Sequence, residues 1–232
     1  MRRAILLFLL AGCACTSRFA FDNIGAEYLG AKYISDPLGE GRAPDSDPLI
    51  RTDAFDCVTF VETSLAGGDL ARLNAIRYKD GIPAFENRNH FIETDWVQNN
   101  SNLVENVSKN YGDVKTRTAT IDKRAWARVV HGVEIDASPV VAEIEYIPYG
   151  TLGKINNKRT LIVLFVVGNS DKYAKMATDL AVVHVGFLLP GGRTLRHAST
   201  ARGVVDDDFA KYIEMRRNMR DNIGIALLEI KE

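Results

Sequence analysis

The sequence predicts an α+β domain in which an early helix packs on an antiparallel β-sheet, and three observations lead there. Helix signals come first, around a cysteine-headed segment beginning at Asp56-Cys57. Strand-like apolar runs follow one another from Pro139 onwards. Pro190-Gly191-Gly192 then supplies the turn that joins two of those runs into a hairpin.

The chain has 232 residues, 46% of them hydrophobic, enough to bury a core in one domain. Its formal net charge is -1 and its basic residues are scattered, so it carries no electrostatic footprint for nucleic acid. Met1-Arg2-Arg3 followed by Ala4 to Leu10 is a charged segment and an apolar segment too short to span a bilayer, which reads as an export signal over residues 1–12. Leu10-Ala11-Gly12-Cys13 resembles the lipobox of bacterial lipoproteins. That resemblance implies acylation of Cys13, a tether over residues 13–24 and attachment to a membrane through the lipid. With Ala14 next, it implies a periplasmic protein anchored in the outer membrane. The domain is expected over residues 25–232.

Of the three cysteines, Cys13 and Cys15 sit in the leader region and Cys57 is left in the domain. This is neither a disulfide framework nor a C-x-x-C metal pattern, and no cofactor or metal is called for.

Along the chain, Phe19, Phe21, Ile24, Tyr28 and Leu29 suggest a short packing helix over residues 18–30. The Pro/Gly/Asp-rich stretch from Asp36 to Pro48 is a loop that feeds the cysteine and is expected to wall its cleft. Asp56 is a plausible N-cap. Phe60, Val61 and Leu65 lie on one side of the following helix, Thr59, Glu62 and Thr63 on the other, and Gly67-Gly68 ends it.

From Leu70 to Arg128 the chain is polar. Within it, Asn87 to Trp96 gathers hydrogen-bonding and aromatic groups that suit either a polar pocket or a solvated loop pinned by Phe91 and Trp96. Strands are expected over Pro139–Tyr146, Leu161–Val167, Ala181–Leu189, Arg193–Ser199 and Ile223–Ile230, with an amphipathic helix over Asp206–Arg220.

Chemistry concentrates on Cys57. A sulfur in the first turn of a helix feels the positive end of the macrodipole, which favours a thiolate and so a nucleophile. A small buried apolar cysteine is the other reading, and this stretch alone leaves both open. Two of the four histidines, His184 and His197, fall on the predicted hairpin, where antiparallel strands bring them within reach of each other. Thiol, imidazole and an orienting polar group are the parts of a cysteine hydrolase. Two structural histidines and a zinc site remain the alternatives.

Asp56-Cys57, His184-Val185-Gly186-Phe187 and His197-Ala198 resemble the motifs of the NlpC/P60 papain-like cell-wall hydrolases. With Leu29 to Tyr33, Phe55 to Glu62, His90-Phe91-Ile92 and Asp95-Trp96 added, the chain resembles the DUF1460 branch over about residues 25 to 230. The resemblance implies a papain-like fold and an N-acetylmuramoyl-L-alanine amidase acting on peptidoglycan fragments (muropeptides). It makes Cys57 the nucleophile, His184 the base and His197 the orienting residue. Tyr33, Asp56, His90, Asp95 and Trp96 become substrate-binding candidates. Two departures, Lys32 where relatives often carry Pro and Ser35-Asp36 in place of a small Gly-containing turn, touch the pocket wall and not the triad. A γ-D-glutamyl-diamino-acid endopeptidase and a non-catalytic wall-binding lipoprotein are the competing functions.

Overall fold

The computed structural model describes residues 21–231, so the expected leader, Cys13, Cys15 and most of the tether lie outside the described residues. The seven-residue apolar run Leu161–Val167 (β6) occupies the middle of the sheet. Ile162, Leu164 and Val166 enter one core with Phe60, Val61 and Leu65, while Leu161, Val163 and Phe165 enter a second core with Phe209 and Ile213. A strand covered on both faces has no use for polar alternation, which is why this run is continuously apolar.

Along the chain, Lys32–Tyr33 (β1) pairs in parallel with Ala54–Phe55 (β2) in a separate two-stranded sheet. The large sheet is built from Val104–Asn106 (β3), Lys115–Ile121 (β4), Val140–Pro148 (β5), β6, Val182–Leu188 (β7), Thr194–Ser199 (β8), Gly203–Asp208 (β9) and Asn222–Ile230 (β10). Its order is β4-β5-β10-β6-β7-β8-β9, every pairing antiparallel, with β3 beside β10. This is the mixed α+β architecture with an antiparallel sheet that the order of helix and strand signals predicts.

The helix Cys57–Ala66 packs on β7 and β8. Asp56 caps it in a reciprocal box: its carboxylate accepts the Thr59 N–H at 2.8 Å, and its own N–H donates to Thr59 Oγ1 at 3.0 Å. Gly67, at φ 63°, closes it in the left-handed conformation that glycine adopts without strain. The expected polar face is absent. Thr59, Glu62 and Thr63 are buried with the rest, and Glu62 is held there by Arg77 at 2.8 Å and by the Trp96 indole N–H at 3.1 Å.

Three expectations shift. The first helix reduces, among the described residues, to the single turn Ala26–Tyr28 after a left-handed Gly25; the Phe60 ring lies 2.7 Å from where a Cβ at Gly25 would be. The polar middle contains the helix Leu70–Arg77 and the strand β4, where buried Arg117, Ala119 and Ile121 alternate with exposed threonines. The helix expected from Asp206 begins only at Phe209, because residues 203–208 pair with β8 as the sheet's edge and Asp208 caps the helix Phe209–Arg217 through the Lys211 N–H.

Candidate active site

Cys57 is the first residue of its helix and is a free, partly exposed cysteine. The backbone N–H groups of Val185 on β7 and of Cys57 itself favour the anion. Even so, burial pushes the thiol up to about 12, with the Asp56 carboxylate adding to the effect. The thiolate expected from the helix dipole is therefore not the resting form: loss of hydration at an anion outweighs a partial charge and two N–H groups.

Next to Val185, His184 pairs across the sheet with Phe165, at an irregularity where Val166 instead pairs with Val182. Its Nε2 lies 2.8 Å from Nδ1 of His197, with the two rings edge to face. Because β7 and β8 pair Phe187 with Arg196, the two histidines meet diagonally and not directly opposite. Gly186 makes the approach possible, since a Cβ there would come within 2.8 Å of His197 Cβ.

His197 Nε2 in turn lies 3.0 Å from the Asp207 carboxylate, which two bonds from Arg202 hold in place. The chain of contacts fixes the tautomers. A carboxylate can only accept, so His197 donates from Nε2 and accepts at Nδ1; His184 must then donate from Nε2, which leaves its Nδ1 as the free base. Burial, His197 and Arg216 hold the His184 imidazole well below the ordinary value, and burial lowers His197 as well, so both rings are neutral at pH 7.

Cys57, His184, His197 and Asp207 line one cleft of about 1460 Å³. A neutral thiol in one cleft with a neutral imidazole that keeps an unprotonated nitrogen is a set that can carry acyl transfer, by moving the thiol proton as the sulfur attacks. Among the described residues, no group of three or more histidine, cysteine or carboxylate side chains is placed to hold a metal ion.

A family described as AmiA-like, N-acetylmuramoyl-L-alanine amidase-like, matches residues 23–220. The chain belongs to that family. A solved Legionella pneumophila protein described as DUF1460 is 23% identical with a TM-score of 0.81, over 90% of this chain and 87% of that one. Two structures of a Bacteroides uniformis N-acetylmuramoyl-L-alanine amidase show 22% and 20% identity and TM-scores of 0.71 and 0.68; each covers 92% of this chain, and 97% and 98% of theirs. These likenesses concern the fold. A comparison with curated proteins finds no match. Family membership makes the chain an amidase-like hydrolase of the peptidoglycan-related class.

In this amidase-like domain the substrate-binding candidates separate. Tyr33 lines the cleft, its hydroxyl pushed up to about 12 by burial and by Cys57 and Asp56. Asp56 caps the helix and accepts the Asp36 N–H at 3.3 Å, so its carboxylate is engaged in local structure. His90, Asp95 and Trp96 are not among the residues that line the cleft. His90 bonds the Phe85 carbonyl at 2.8 Å among Phe85 and Trp126, Asp95 pairs with Lys123 at 3.0 Å, and Trp96 is buried against Glu62. The Asp36–Pro48 loop is not the cleft wall either. Arg88 pins it through Asp36, Glu40 and Asp45.

The wall comes instead from the C-terminal region, through Tyr212, Met215, Arg216 and Met219. Asp207, Tyr212 and Arg216 are the cleft residues that sequence reasoning missed. The edge strand Gly203 to Asp208 has two adjacent valines followed by three adjacent aspartates, so no period-two pattern marks Asp207 as a neighbour of His197.

Proposed function

We propose that the protein is a papain-like cysteine amidase of NlpC/P60 type that cleaves the amide between N-acetylmuramic acid and L-alanine in peptidoglycan or its muropeptides. The observation that carries this reading is the His184–His197–Asp207 chain of bonds, which leaves one imidazole nitrogen unprotonated in the cleft that holds the Cys57 thiol.

In the proposed reaction, Cys57 Sγ attacks the lactyl carbonyl carbon while its proton passes to His184 Nδ1. The oxyanion faces the Cys57 N–H at the start of the helix. Collapse breaks the C–N bond, and the imidazolium returns its proton to the leaving alanine nitrogen, giving a thioester on Cys57. Water, losing a proton to His184, hydrolyses that thioester to a carboxylic acid and restores the thiol. The neutral starting pair suits this order, because the charged states arise only during attack, where His197 and Asp207 stabilise the imidazolium.

Mass analysis of defined muropeptides with the wild type beside Cys57→Ala tests the proposal. Peptide beginning with L-Ala and free N-acetylmuramic acid are expected from the wild type, with no product from the variant. A cut after D-Glu would instead identify the endopeptidase. The export signal and Cys13 support a lipid-anchored periplasmic location, so the wild-type chain is expected in the membrane fraction of the same cells.

A further inference from the structure

Arg216, at the end of the helix Phe209–Arg217, lines the same cleft as Cys57 and the two histidines. Its guanidinium lies over the Phe165 ring at 5.0 Å and the Tyr212 ring at 5.4 Å, so its position is fixed from below by aromatic faces. Among the described residues it makes no ion pair. Its polar partners are the neutral Asn222 Oδ1 at 3.3 Å and the Tyr212 side chain, and its Nε is buried with no acceptor.

This is unlike the other arginines of the interior. Arg77, Arg88, Arg117 and Arg196 each hold a carboxylate at 2.8 Å or less. The two carboxylates that line the cleft are committed elsewhere: Asp207 to His197 and Arg202, Asp221 to the Ser170 hydroxyl at 2.8 Å. The charge of Arg216 is nevertheless felt at Cys57, His184 and His197, which places it within electrostatic reach of the reacting groups. A half-buried, pre-positioned guanidinium with a planar fork of donors and no carboxylate partner is built to receive an oxyanion of matching geometry, a carboxylate above all.

We infer that Arg216 is the specificity residue of the cleft and binds a carboxylate on the peptide side of the substrate. The inference rests on the amidase reading in one respect. The lactyl carboxyl of muramic acid is consumed in the scissile amide, so a free carboxylate next to that bond must belong to the stem peptide, where the residue after L-Ala is D-Glu. The site thereby selects acidic stem peptides over those whose carboxylates are capped as amides.

The test compares N-acetylmuramoyl-L-Ala-D-Glu with the same compound carrying both glutamyl carboxylates as carboxamides, using the full chain as wild type, Arg216→Gln and Arg216→Lys. The wild type is expected to prefer the acid in kcat/KM by about 10- to 100-fold, the range of a charge-assisted bond in a partly desolvated site. Arg216→Gln should lose that factor from the acid-over-amide ratio of kcat/KM, and Arg216→Lys should recover part of it. An equal loss on both substrates, or a wild type indifferent to amidation, overturns the inference. Thermal melting of each variant checks that it is folded. If the wild type releases no peptide from either compound, the amidase reading fails, and the anchor is judged separately by equilibrium binding of the pair to Cys57→Ala with and without Arg216→Gln. Equal affinities there would overturn it.

Discussion

Around Arg88 the guanidinium meets Glu40 and Asp45 at 2.7 Å and Asp36 at 3.3 Å, and the neighbouring Arg77 meets Glu62 at 2.8 Å. Around Arg216 the same kind of side chain lines the cleft over two aromatic rings, and its polar partners among the described residues are an amide oxygen and a phenol. The histidines repeat the contrast. His90 is wrapped by Phe85 and Trp126 and spends its Nε2 on a carbonyl, whereas His184 passes its Nε2 to His197 and keeps a nitrogen free. Both histidines are held neutral by burial, so the pKa shift does not distinguish them. What distinguishes them is whether the hydrogen-bonding capacity is closed within the fold or left open toward a cavity.

The largest effect should come from breaking the closed region. Arg77→Ala leaves Glu62 buried without its cation and is expected to cost about 3–5 kcal/mol of stability, read by denaturant unfolding. A cost under about 1 kcal/mol, the level of a surface pair, would show that the Arg77–Glu62 pair does not hold the fold together.

In the open region, Asp207→Ala removes the acceptor that sets the His197 tautomer. It should lower kcat by about one to two orders of magnitude while leaving the melting temperature near that of the wild type, since the carboxylate sits at the cleft rim. An unchanged kcat would remove Asp207 from the relay.

The smallest effect sharpens the comparison most. In the proposed mechanism His184 works only when unprotonated, and its value is depressed below the ordinary 6.5, so activity is expected to be lost only as pH falls below that figure. The Cys57 thiol, raised to about 12, contributes no alkaline limb in the ordinary range. Between about pH 7 and 9, kcat/KM should therefore stay within about twofold. A limb near about 8.5, the value of an ordinary thiol, would mean that the thiol is not desolvated in solution.

Much of this arrangement is legible in the chain, and the reasons are local. The Asp56–Thr59 capping box, the helix stop at Gly67 and the hairpin turn after Leu189 are set by residues within a few positions of one another. The apolar run Leu161–Val167 predicts a strand covered on both faces. The pairing of His184 with His197 follows from two strands and one turn. Where reasoning from the chain went astray, the deciding contact was long-range. Glu62 takes its meaning from Arg77, Arg88 draws the Asp36–Pro48 loop away from the cleft, and Asp206 to Asp208 belong to an edge strand because β8 is beside them.

By itself, then, the order of residues determined which side chains could do chemistry: one domain thiol, two hairpin imidazoles and the helix that presents the sulfur. Only the tertiary structure decided their electrical state and their company. Burial at the meeting of helix and sheet makes Cys57 a neutral thiol, and the sheet edge brings Asp207 to His197. The final helix then leaves Arg216 facing the cleft without a carboxylate. Desolvation and charge pairing depend on what surrounds a group in space, and sequence neighbours supply only a small part of those surroundings.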